Sequence, residues 1–187
     1  MSENISKNTK SKTIGRVFLA VLKTEFFGFI ELLFLIALTT PLGKGANVFM
    51  GIIGILTVFC LMTDFGMTEG NKAHKRVKLH GESISKNYGY VLGAISMIPS
   101  YVTLLILILS KTGVIGNFYP AYKMLNACFA PIFTLISDSA KAVDVSAIVF
   151  IVGAVCPLLY ILSTQIGYKI GFEQIDLKEK FMYKKGE

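Results

Sequence analysis

The sequence predicts an all-α integral membrane protein. It reads as a bundle of four transmembrane helices, with an N-terminal amphipathic helix in the interface and a re-entrant or interfacial segment at residues 117–137. Three observations predict this. The 187-residue chain is 53% hydrophobic and 17% charged, with a mean hydropathy of +0.60, whereas soluble domains run about 45–50% apolar and about 25% charged. Four apolar stretches reach the roughly 17–25 residues that a crossing helix needs. Fifteen of the nineteen Lys and Arg residues fall in three groups that bracket those stretches, and basic residues flanking spans are retained on the cytoplasmic side.

The basic groups are Lys7, Lys10, Lys12, Arg16 and Lys23; Lys72, Lys75, Arg76, Lys78 and Lys86; and Lys169, Lys178, Lys180, Lys184 and Lys185. They place both termini and the central connection in the cytoplasm of a multi-pass cell-membrane protein. Residues 1–13 are polar and read as a mobile cytoplasmic tail, and residues 14–187 as one membrane domain. Ile14, Val17, Phe18, Val21 and Leu22 follow helical spacing, which suits a short helix lying on the bilayer. Lys23 and Glu25 are costly far below the headgroups, so an elbow near Gly28 is expected in place of one long tilted helix. The N-terminus does not read as a cleavable leader, because the same two charges interrupt its apolar run.

The spans are expected at about 26–42, 46–63, 87–110 and 145–168, with a tight outer turn around Gly43–Gly45. Residues 64–86 read as a cytoplasmic loop and 169–187 as a basic, partly amphipathic tail. The segment 117–137 is long enough to cross, yet carries Pro120, Lys123, Asn126 and Pro131. Crossing would make five spans and put the basic tail outside, so the charge distribution favours four. A broken segment at membrane depth is tolerated only when protein shields it or it faces water.

A faint echo recurs at an offset of 101 residues: Thr63, Gly66 and Gly70 reappear as Thr164, Gly167 and Gly171. Two apolar stretches of similar bias match this often by chance, so it carries little weight alone.

Candidate chemistry is sparse. Glu31 is the one carboxylate well inside an expected span; such groups mark proton or cation pathways, or else pair with a hydroxyl or base inside the bundle. Pro99 and Pro157 interrupt spans, with Ser100 and Tyr101 beside the first, and interrupted helices form transporter sites; a tolerated kink is the plainer reading. Lys72, Lys75, Arg76 and Lys78 suit anionic headgroups. Gly66, Gly70 and Gly81 could bring backbone close to a phosphate, although helix termination and exit from the bilayer explain them more simply. Gly51, Gly54, Gly93 and Ala94 supply small surfaces for helix packing. His74 and His80 lie among cations and do not suggest a metal site, and Cys60, Cys128 and Cys156 read as small buried hydrophobes.

Nucleic acid is not expected as a partner, because residues 66–87 contain no aromatic side chain to stack a base. No cofactor and no catalytic constellation is expected. The chain therefore reads as a non-enzymatic accessory or regulatory subunit that acts through lipid and another membrane protein or a second copy of itself. The alternative is a small-molecule or ion transporter, or its membrane-embedded component, using Glu31 and the proline-interrupted helices.

Overall fold

A computed structural model describes the backbone of residues 2–175 and the side chains of residues 13–175. The described residues are helical and contain no strand. The helices are α1 (Ser2–Leu42), α2 (Lys44–His80), α3 (Tyr88–Ser96), α4 (Ile98–Lys111), α5 (Tyr119–Leu125), α6 (Ala130–Ile136), α7 (Ala147–Val155) and α8 (Leu158–Phe172). Single 3-10 turns occur at Ala127–Phe129 and Ala142–Asp144. Three stretches are long and apolar enough to cross a membrane: Lys44–His80, Tyr88–Lys111 and Ala147–Phe172. Of the tail expected at 169–187, residues 169–172 instead continue α8, and the part beyond residue 175 lies outside the described residues.

The helix α1 is continuous from Ser2, so it includes residues 2–13 and passes Gly28 without the expected elbow. The expected interfacial helix is simply its first half. Its packed face is not the apolar stripe either. Ile14, Phe18 and Leu22 are exposed, whereas Val17, Val21, Thr24, Gly28, Glu31 and Leu35 are buried. That spacing of alternating four and three residues is one helix seam, lined partly by small and polar groups. In lipid the outward face is apolar as well, so small residues, not hydrophobic ones, mark the contact.

At Gly43, φ is +54° and its N–H donates to Thr39 O at 2.9 Å. Only glycine enters that region without strain. The chain reverses there, and α2 returns antiparallel along α1, with every fourth residue from Ala46 to Gly70 buried. Residues 64–80 are not a loop; they continue α2, and the connection is reduced to 81–87. The physical reason is local neutralisation. Arg16 forks onto both oxygens of buried Glu69 at 2.8 Å each, and Lys72 adds a third contact at 2.8 Å. Burial alone would raise the Glu69 pKa, but the hydrogen bonds and charges of Arg16 and Lys72 outweigh it and hold the carboxyl below its ordinary value. Gly81 then ends the helix with φ +63° and an N–H bond to Val77 O, as expected of a terminating glycine.

Gly66 and Gly70 do something else. They lie mid-helix against α8, where a side chain on Gly66 would press on Thr164 O and Tyr168 N, and one on Gly70 on Tyr168 O and Phe172 N. The relation is reciprocal: Gly167 meets Thr63 O and Met67 N, and Gly171 meets Met67 O and Asn71 N. The residues of the 101-residue echo therefore face their own counterparts across a local two-fold crossing, with α2 and α8 running in the same direction. Residues 14–40 form one continuous run of helix, whereas residues 115–141 are broken into α5 and α6. On its other side α8 takes α3, with Gly89 against Tyr168 and Gly93 against Ile161.

The expected third and fourth spans are present as interrupted helices. One breaks at Met97, with Pro99 in the first turn of α4; the other breaks at Cys156–Pro157. Between them, residues 117–137 double back. Asn117 Nδ2 donates to Ala140 O at 2.7 Å and its Oδ1 accepts from Ala142 N at 2.8 Å. The start and finish of the segment are thus tied together, at the end of the molecule where Lys111 Nζ donates to Val145 O. The segment is a helical hairpin, α5 and α6 around the Ala127–Phe129 turn, and it holds the centre of the main core through Tyr119, Tyr122, Cys128, Phe129 and Phe133. We call the end that carries the 81–87 connection the basic end, and the end from which the hairpin dips the opposite end.

Candidate functional site

The hairpin tip meets α1, α2, α4 and α8 about half-way between the two ends. Its backbone departs from helix at Asn126 (φ −127°, ψ 53°), so its amides need partners other than their own helix. Ala127 N–H donates to Glu25 Oε2 at 3.0 Å, and Tyr160 O–H donates to Glu25 Oε1 at 3.0 Å. The Cys128 thiol donates to Thr24 O at 3.3 Å. Asn126 Nδ2 donates to Thr103 Oγ1 at 3.0 Å and to Tyr122 O at 3.1 Å. The tip is admitted by two glycines: a Cβ on Gly28 would lie 2.5 Å from Cys128 N and 2.7 Å from its Sγ, and one on Gly54 would overlap Cys128 O.

Glu25 thus holds two donors from opposite sides, one a broken backbone and one a side chain wholly buried on α8. The charge expected to stay near the headgroups sits within the protein because it is satisfied there. This is also why α1 needs no elbow.

Glu31 is buried on the same helix, but its setting differs. One oxygen accepts a hydrogen bond from Thr57 of α2, and Oε2 has no protein partner. Glu31 and the hairpin tip share no direct hydrogen bond.

The two interrupted helices are tied to each other. Tyr101 O–H donates to Ala154 O at 2.8 Å. Proline at 157 removes the N–H that would return to Gly153 O, and the turn reorganises so that Leu159 N bonds Cys156 O at 3.1 Å. Carbonyls just before the break are therefore short of partners, and Tyr101 supplies one. Ser100 is buried, and its carbonyl accepts from Thr103 Oγ1 at 2.8 Å. Since Asn126 also bonds Thr103, the Pro99 break connects to the hairpin tip and through Ala127 to Glu25. Of the predicted residues, Pro99, Ser100, Tyr101 and Pro157 are brought into one neighbourhood and Glu31 is left to one side. Glu25 and Tyr160, 135 residues apart, were not predicted as partners; the available signal was a carboxylate inside an otherwise apolar helical seam.

At the basic end, the four cations predicted for headgroups separate. Lys72 is engaged by Glu69, whereas Lys75 and Lys78 are exposed and Arg76 is half-buried. Comparison of the chain with protein-family models, with curated proteins and with solved structures returned no match.

Proposed function

We propose that this protein is a small proton- or cation-linked transporter, or the membrane-embedded component of one. In this reading it resides in the cell membrane with four crossings, the apolar half of α1 being the fourth, and its basic end faces the cytoplasm. The observation that carries the proposal is the doubled-back hairpin, whose broken tip donates Ala127 N–H to Glu25. Broken backbone and carboxylates are both costly in lipid and are kept where they line a route or hold a moving part. The interrupted helices meeting the same tip supply the discontinuous elements on which transport sites are built.

The chemistry couples charge to position. As a carboxylate, Glu25 accepts from both Ala127 N–H and Tyr160 O–H. A proton on either oxygen creates a donor that must find an acceptor. The amide cannot accept, so either Tyr160 turns its hydroxyl or the tip moves away. Proton uptake thereby weakens the hold of α1 on the hairpin. Cys128, Tyr160 and Glu31 are the other titratable groups around this carboxylate.

Vesicles containing the purified protein and a pH-sensitive dye test the reading. Under an imposed potassium diffusion potential they should take up protons faster than empty vesicles. Glu25→Gln should abolish the difference, while Glu82→Gln, in the 81–87 connection, should leave it intact. Flux equal to that of empty vesicles would rule the proposal out. Labelling of single cysteines at Lys44 and Lys141 from one side and at Ser83 from the other checks the topology. The accessory-subunit expectation merges with this one if a larger carrier co-purifies from native membranes.

A further inference from the structure

An open cleft of about 460 Å³ lies at the basic end, lined by His74, Val77, Lys78, Lys86, Phe172 and Glu173. It sits where α3 begins and α8 ends, level with the paired rings of Tyr88 and Tyr168. Tyr88 is exposed, and exposed tyrosines are enriched at the boundary between hydrocarbon and headgroups. The side chains of Val77 and Phe172 make its apolar wall. His74 stands edge-on to Phe172, with ring centroids 6.3 Å apart. Its Nδ1 lies 2.8 Å from Phe172 O and, because a carbonyl only accepts, donates to it.

Of the two lysines here one is unpaired and the other only loosely paired. Lys78 has no ion-pair partner among the described residues, and Lys86 is 70% exposed with Glu173 at a long 3.8 Å. Lys72, by contrast, is held by buried Glu69. The structure has therefore regrouped the basic residues, taking Lys72 out and bringing His74 and Lys86 in beside Lys78. We propose that this cleft is a phospholipid site, in which Lys78 and Lys86 hold the phosphate of an anionic headgroup and Val77 and Phe172 support its glycerol and upper acyl carbons. The chemistry required is a phosphate attached to an apolar body, placed at interface depth. Free phosphate would satisfy the cations and leave the apolar wall unused. The inference is independent of the proton-linked reading, since it involves neither Glu25 nor the hairpin.

Native mass spectrometry of the full chain in mild detergent tests it, with phosphatidylglycerol, phosphatidylcholine and inorganic phosphate as probes. Wild-type protein should retain phosphatidylglycerol in preference to phosphatidylcholine. The paired change Lys78→Gln and Lys86→Gln should lower that retention about tenfold or more, from two surface cations at headgroup depth. Glu173→Gln should raise it, because the competing carboxylate is gone. Lys141→Gln, at the opposite end, should not alter it. Equal retention of the two lipids would overturn the proposal, as would unchanged retention in the paired variant with an unshifted thermal transition. Displacement of the lipid by equimolar inorganic phosphate would overturn the lipid assignment.

Discussion

Replacing Gly66 with alanine adds one methyl group to a helix, and on an isolated helix that substitution gains about 1 kcal/mol. At Gly66 the methyl carbon would stand 2.8 Å from Tyr168 N and 3.0 Å from Thr164 C, with the Thr164 carbonyl oxygen nearer still. Carbon–carbon contacts are optimal at about 3.5–4.0 Å, and these neighbours are backbone, which cannot rotate away. The helices α2 and α8 must therefore separate by about 1 Å, which forfeits a quarter to a half of the dispersion energy along the seam. Overpacking of this kind costs about 1–3 kcal/mol, so Gly66→Ala should be net destabilising by up to about 2 kcal/mol after the propensity gain.

Gly15 supplies the control. It lies in α1 with nothing within 4 Å of its added carbon, so Gly15→Ala should be neutral or stabilising by up to about 1 kcal/mol. Reversible unfolding in mixed micelles with increasing dodecyl sulfate, followed by circular dichroism, reads both. The reciprocal crossing gives a sharper condition. Gly167→Ala separates the same pair of helices, so the double variant with Gly66→Ala should cost less than the sum of the two. If Gly66→Ala is as harmless as Gly15→Ala, or the two costs add in full, the α2–α8 crossing is not as described.

Three further outcomes follow from the same structure. Tyr160→Phe removes one donor from Glu25 and should cost about 1–3 kcal/mol; in a background lacking Cys60 and Cys156, maleimide should then label Cys128 faster than in the parent. Tyr101→Phe leaves Ala154 O without its donor and should cost about 1 kcal/mol, read as a lower midpoint in the same unfolding assay. Glu69 is stabilised as a carboxylate, so its contribution is complete above the ordinary carboxyl value of 4.5 and is lost as the pH falls through its lowered folded value. Glu69→Gln should accordingly lower the thermal midpoint at neutral pH, and the gap to wild type should close under acid; a gap that widens on acidification would refute the ion-pair reading.

The interrupted spans were legible because their signal is local: long apolar runs with one proline each, matched by α3–α4 and α7–α8. That 117–137 is a broken segment was legible from Pro120, Lys123, Asn126 and Pro131 inside an apolar run. The end of the second span was not. Asp64, Glu69 and five basic residues read as a loop only while Arg16, more than fifty residues earlier, is out of view; once it forks onto Glu69, continuing the helix costs little. The elbow failed for a related reason. Charge at Glu25 is expensive in lipid, but Ala127 and Tyr160 offset part of that expense with donors, and neither is near in sequence.

Glycine spacing was the signal most undervalued. In water, a helix shows its buried face by hydrophobic period, because the other face must be polar. In lipid both faces are apolar, so the period carries little and the small residues carry the information. Read that way, Thr63, Gly66 and Gly70 and their copies Thr164, Gly167 and Gly171 specify which helices touch. Gly28 and Gly54 likewise specify where the hairpin tip enters. The same logic identifies Glu25. Val17, Val21, Thr24, Gly28, Glu31 and Leu35 form the buried seam of α1, and Glu25 adjoins it next to Thr24. A carboxylate so placed faces protein rather than lipid, and it must find donors there or remain neutral.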